Sequence, residues 1–147
     1  AKIESLDGLG QKEVGEIETR TALAGAFGVP VILLSGDRAA AEELLAIVPQ
    51  AEVAIVKDGI SYYACDSMSA VSAQQLIEAK AEAAWKKLSQ VKPYKVSGPV
   101  VIETEVTTRS TPSPEAVLPG GIERIGPRTL RYRGKDFLEA WTLWSSR

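Results

Sequence analysis

Val29-Pro30-Val31-Ile32-Leu33-Leu34-Ser35-Gly36-Asp37 decides how this chain folds. A strand covered on one face alternates apolar with polar residues, whereas an unbroken apolar run such as Val29 to Leu34 suits a strand buried on both faces of a parallel sheet. Gly36 and Asp37 make a tight exit, and Asp37 can cap the Ala-rich helix Arg38 to Val48, which ends at Pro49. A second apolar segment, Val53 to Val56, follows at once. The spacing predicts two parallel strands side by side, joined by a right-handed helical crossover. Such a pair needs cover on both faces, so the sheet is expected to continue into strands from outside this segment.

Working outward, Glu13 to Phe27 reads as a helix with Val14, Ile17, Thr21 and Ala24 on one face, stopped by Gly28 and Pro30. Ala1 to Leu6 reads as a short alternating strand, closed by a turn at Asp7-Gly8 and Gly10. Downstream, Lys57 to Ser67 reads as an irregular polar stretch. Ser69 can cap a long helix from Ala70 to Gln90, with Leu76, Ile77, Ala81, Ala84, Leu88 and Val91 as its stripe. In the strand Val100 to Thr107, Val100, Ile102, Thr104 and Val106 face one way, and Glu103 and Glu105 form the solvated side. Arg109 to Gly121 is a loop, Thr129 to Arg133 a strand, and Asp136 caps a final helix carrying Phe137, Trp141 and Trp144. The fold class is α/β: a partly parallel sheet flanked by helices, followed by a mixed or antiparallel α+β portion. The division falls between 1–92 and 93–147.

With 147 residues, 45% hydrophobic and 24% charged, the chain has the balance of a globular domain. A net charge of −2 and dispersed Lys and Arg argue against nucleic acid or an anionic membrane as partner. Cys65 is alone, which fits a reducing, cytoplasmic setting. Histidine is absent, so the chain cannot by itself build a His-based zinc site or a Ser-His-Asp triad. It opens at Ala1 with no initiator methionine, so a processed product or a fragment is expected.

Three side chains stand out, each with an ordinary structural role beside a functional one. Glu16 lies in the first turn of its helix, where the helix dipole favours a carboxylate in any case. Asp37 ends a buried strand, the place where ligands gather in open α/β sheets, but it is also the natural cap of the next helix. Lys57 ends the following strand, so the two should converge at one edge, as a structural ion pair or in orienting a substrate. Trp141 and Trp144 read as core or subunit interface rather than a ligand platform. Without a histidine to activate it, Cys65 is no nucleophile.

Several segments taken in order carry a family likeness: Val14-Gly15-Glu16 with Ala24-Gly25, Gly28-Val29-Pro30-Val31 leading to Ser35-Gly36-Asp37, Val56-Lys57 with Ile60-Ser61 and Met68-Ser69, Leu118-Pro119-Gly120, and Lys135-Asp136 with Leu138-Glu139-Ala140. In order and spacing the chain resembles the C-terminal half of the zinc-dependent D-aminopeptidases, decameric metallopeptidases of dipeptide-transport operons. The resemblance implies that 1–92 is the C-terminal part of a Rossmann-like metallopeptidase domain and 93–147 a smaller α+β subdomain. It also implies two zinc ions held mostly by residues outside this chain, an Asp-x-Glu and histidines among them, with Glu16 the one metal ligand supplied here. Asp37 and Lys57, with the 109–121 loop, would shape the pocket for short peptides with an N-terminal D-residue. The expected partners are the missing N-terminal half and further copies of the chain, and no catalytic residue lies in this half. Arg20 replaces the family's Asn, Arg38 the second Asp of its Gly-Asp-Asp, and Tyr62 the Arg of its Ile-Ser-Arg. These departures leave a second reading open, a non-catalytic α/β binding or assembly-scaffold domain.

Overall fold

The computed structural model describes residues 2–5, 10–106 and 117–146. Its elements run β1 (Lys2–Ser5), β2 (Gly10–Glu13), α1 (Glu16–Ala26), β3 (Leu33–Asp37), α2 (Arg38–Ile47), β4 (Glu52–Ser61), β5 (Ala64–Ser67), α3 (Ala70–Lys86), a 3-10 turn (Leu88–Gln90), β6 (Val100–Glu105), β7 (Ile122–Arg124), β8 (Thr129–Gly134) and α4 (Phe137–Ser145). The chain divides into two compact units, residues 1–19 with 95–147, and residues 20–94. The expected division at 92/93 follows the order of the sequence, whereas the contacts group the N-terminal segment with the C-terminal one. The fold class is α/β as expected, with a partly parallel sheet and helices followed by an antiparallel portion.

The unit 20–94 is built on a three-stranded sheet in the order β3-β4-β5. β3 and β4 pair in parallel, from Leu33 beside Glu52 to Asp37 beside Lys57, and β4 pairs antiparallel with β5. Here two expectations are corrected. The apolar run does not itself make the strand: β3 starts at Leu33 and runs through Ser35-Gly36-Asp37, while Val29 remains 54% exposed. Pro30 explains the late start, since it has no N–H to give to a ladder. The polar stretch 57–67 is not irregular either; β4 extends to Ser61 and turns back as β5.

α2 and α3 both pack on β3 and β4. From α2 the side chains of Ala41 and Leu44 are buried at helical spacing, continued by Val48. Asp37 caps α2 by accepting the Ala40 N–H at 2.8 Å, and Ser69 caps α3 in the same way. α3 stops at Lys86, short of Gln90, and Ala81 of the expected stripe is exposed. α1 ends where Gly28 adopts φ +76°, and the Val29 N–H then reaches the Ala24 carbonyl. Gly25 lets this helix lie against the backbone at Tyr94, whose carbonyl oxygen would sit 1.7 Å from an added Cβ.

In the other unit an antiparallel sheet has the order β2-β1-β6-β8-β7. β2 and β7 are strands absent from the expectation, in which Gly10 belongs to a turn and Glu13 opens the helix. Val100, Val101 and Ile102 are all buried, so β6 is covered on both faces and not on one alone. α4 packs on β8 and β6, burying Phe137, Ala140 and Trp141 against a core that holds Leu130 and Tyr132. Phe137 stacks on Trp141, which meets Trp144 edge-on. Glu103 is less solvated than expected. It faces Arg131 across the β6–β8 pair at 2.6 Å, and Arg131 reaches Glu123 on β7 at 3.5 Å. Such a cross-strand row of opposite charges favours this register over its slips. Most of the expected 109–121 loop lies outside the described residues.

Candidate functional site

The geometry brings Asp37 and Lys57 together. They are direct register partners where the parallel β3–β4 pairing ends, Asp37 as the last residue of β3 and Lys57 midway along β4, and a bulge between Gly36 and Asp37 sets that pairing. Both line an open cleft of roughly 360 Å³ at the β4–β5 hairpin, with Gly59, Ser61, Tyr62, Tyr63 and Cys65 among its other walls. They do not form the expected ion pair. The Asp37 carboxylate is turned to the α2 backbone at Ala40, and the exposed Lys57 ammonium has no charged partner among the described residues.

The hairpin's pleat sorts its side chains. Lys57 and Gly59 share one face of β4, Gly59 pairing with Cys65 of β5, and a bulge between Gly59 and Ser61 then breaks the alternation, Ser61 pairing with Ala64. Asp58 points the other way. There it accepts two hydrogen bonds from Arg38, Nε at 2.7 Å and Nη2 at 3.0 Å. That forked pair raises the Arg38 pKa further above its ordinary value, first through the hydrogen bond and then through the charge of Asp58. Arg38 is thereby committed to Asp58, on the face away from the cleft. At the tip, Tyr62 and Tyr63 meet edge to face with ring centres 4.8 Å apart and are 92% and 94% exposed. Cys65 Sγ lies 3.3 Å from the Ser67 hydroxyl.

Glu16 is the first residue of α1, in the other unit, and its helix start also holds Glu18. Glu18 is the buried one of the two and is bridged by Lys12 at 2.8 Å, an arrangement the sequence reading missed. Thr19 ties the same turn together by donating to the carbonyls of Gly15 and Glu16.

The model of peptidase family M55, described as D-aminopeptidase, matches residues 6–146. The chain belongs to this family. A D-aminopeptidase of Bacillus subtilis (strain 168) is 29% identical over 133 residues, which are 90% of this chain and 48% of the relative. The solved structure of the Zn-dependent D-aminopeptidase DppA from Bacillus subtilis, described as a self-compartmentalizing protease, superposes with a TM-score of 0.79 at 26% identity. It is matched over 97% of this chain and 51% of its own length. The chain thus spans about half the length of the family members it matches.

Zinc is the metal named for that structural relative. This chain's own donors do not fit a zinc site: the sequence has no histidine, and among the described residues no three His, Cys, Asp or Glu side chains are grouped to hold a metal ion. Structural zinc takes four ligands and catalytic zinc commonly three from protein, so Glu16 alone cannot hold it. No helix among the described residues is long and apolar enough to cross a membrane.

Proposed function

We propose that this chain is the C-terminal half of a D-aminopeptidase-type metallopeptidase, cleaving short peptides with an N-terminal D-residue once a segment carrying the remaining metal ligands is joined to it. The observation that carries this reading is the family match over 6–146 in a chain half as long as its relatives. Glu16, at the start of α1, is the one metal ligand this half would add to two zinc ions held by histidines and carboxylates elsewhere. Asp37 and Lys57 form the wall of the substrate cleft. β3 leaves its outer edge without a strand partner among the described residues, and Phe27 and Val29 beside it are 69% and 54% exposed. The remaining half can extend the sheet there. Assembly of several copies in the cytoplasm completes the picture, in keeping with a relative described as self-compartmentalizing.

Zinc content and hydrolysis are to be compared in the isolated chain, in the chain reconstituted with its other half, and in the reconstituted Glu16→Gln variant. The isolated chain should hold no stoichiometric zinc after dialysis and cleave nothing. Reconstitution should restore both, and Glu16→Gln should lower both while changing stability by no more than about 1 kcal/mol, the scale of a first-turn carboxylate in a helix dipole. Full zinc and activity in the variant would show Glu16 to be a helix-start residue only. The second reading, a non-catalytic binding or scaffold domain, has one specific observation in its favour: Arg38, at the family's usual Asp, is tied to Asp58. A reconstituted protein without metal or hydrolysis would establish that reading instead.

A further inference from the structure

The cleft beside Lys57 has a floor, a charge and an apolar rim, each from a different residue. Gly59 is the floor. A Cβ built there meets nothing within 4 Å, and its φ is not in the left-handed region, so the space above this glycine is open without backbone strain. Lys57 is the charge. It precedes Gly59 by one pleat repeat on the same face. The other cation of this hairpin region, Arg38, is engaged by Asp58, and the carboxylate nearest to Lys57 in register, Asp37, is engaged by the Ala40 N–H. Tyr62 and Tyr63 are the rim, nearly wholly exposed yet held edge to face. Ser61 is a further lining residue of the cleft.

A small molecule matching this set carries an anion that pairs with an ammonium and an apolar or aromatic group that rests on the tyrosines. We propose that the cleft binds the free C-terminal carboxylate of a short peptide at Lys57, with the adjoining side chain lying over Gly59 against Tyr62 and Tyr63. This rests on the peptidase reading for its choice of ligand and adds to it a preference for peptides with a free C-terminal carboxylate.

Binding to the chain is measured by heteronuclear NMR titration with D-alanyl-L-phenylalanine and with its C-terminal amide. The acid should bind about tenfold more tightly than the amide, the scale of one charge-assisted contact. Lys57→Met should bring the two to near equality. Gly59→Val fills the open space with a strand-favouring side chain, and should leave the spectrum folded while weakening both ligands together. Equal affinity of the wild-type chain for acid and amide overturns the proposal, as does undiminished binding by a folded Gly59→Val. Should that variant not fold, the Lys57→Met comparison decides alone. Hydrolysis by the reconstituted full-length protein separates this from the peptidase reading. Cleavage of both peptides with the same KM sinks the carboxylate site and leaves the peptidase. Acid-over-amide discrimination in a protein that hydrolyses neither sinks the peptidase and leaves the site.

Discussion

Replacing Glu52 with Gln tests how the 20–94 unit is fastened. Glu52 opens β4, and its half-buried carboxylate accepts from Lys80 of α3 at 2.8 Å and from Lys87 just beyond that helix. The two lysine hydrogen bonds, Lys80 first, pull its pKa from 4.5 to about 2 against the opposing effect of burial. Because the folded-state value is the lower one, the stabilisation is fully present above the unfolded pKa and is lost as pH falls through the folded one. The window therefore runs from about 4.5 down to about 2. At 1.36 kcal/mol per pKa unit the whole shift would amount to about 3.4 kcal/mol. The lysines are 36% and 48% exposed, and water screens such pairs. Measured exposed pairs bring the expectation down to about 1 kcal/mol. Urea unfolding of wild type and Glu52→Gln at pH 7, 4 and 2.5 should show a gap of that size at pH 7, narrowing steadily below 4.5. A gap that holds its size to pH 2.5 would refute the ionic origin, and no gap at pH 7 would refute the fastening itself.

Two further substitutions probe packing. Leu44 is wholly buried on α2, so Leu44→Ala should cost about 2–5 kcal/mol in urea or thermal unfolding, the range for a large-to-small core change; a loss under 1 kcal/mol would show a site that collapses or hydrates. Gly25→Ala should destabilise by more than the ~1 kcal/mol that Ala normally gains over Gly in a helix, reversing its sign, because the new methyl meets the Tyr94 carbonyl. An unchanged or raised Tm would place that segment elsewhere.

The capped helices were legible in the sequence because their signals are local. Asp37, Ser69 and Asp136 each sit one residue before a helix and each accepts a backbone N–H there. The parallel pairing of the two apolar strands was legible too, because a short helix between them leaves few other topologies. What was missed in the antiparallel sheet has a local cause: Gly10-Gln11-Lys12-Glu13 and Ile122-Glu123-Arg124 are short and carry no apolar alternation, so β2 and β7 are strands only by pairing with their neighbours β1 and β8. The hairpin β4–β5 was hidden differently. Its residues are exposed on both faces, so Asp58, Gly59, Ser61 and Asp66 gave it the composition of a loop.

That second failure bears directly on the site. Asp37 and Lys57 could be placed at one sheet edge from strand ends alone, and they are register partners there. Their environment could not be placed, because it depends on the hairpin: only once Lys57-Asp58-Gly59 is extended does the pleat send Lys57 and Gly59 to one side and Asp58 to the other. Arg38 then has the Asp58 carboxylate within reach on the far side, while Lys57 shares its cleft with Asp37 without forming an ion pair with it. A charge swap that looked, residue by residue, like damage to a family pattern thus reads in three dimensions as a division of labour. One cation holds the hairpin to the helix, and the other lies in the cleft without a charged partner among the described residues, where the proposed peptide carboxylate would meet it.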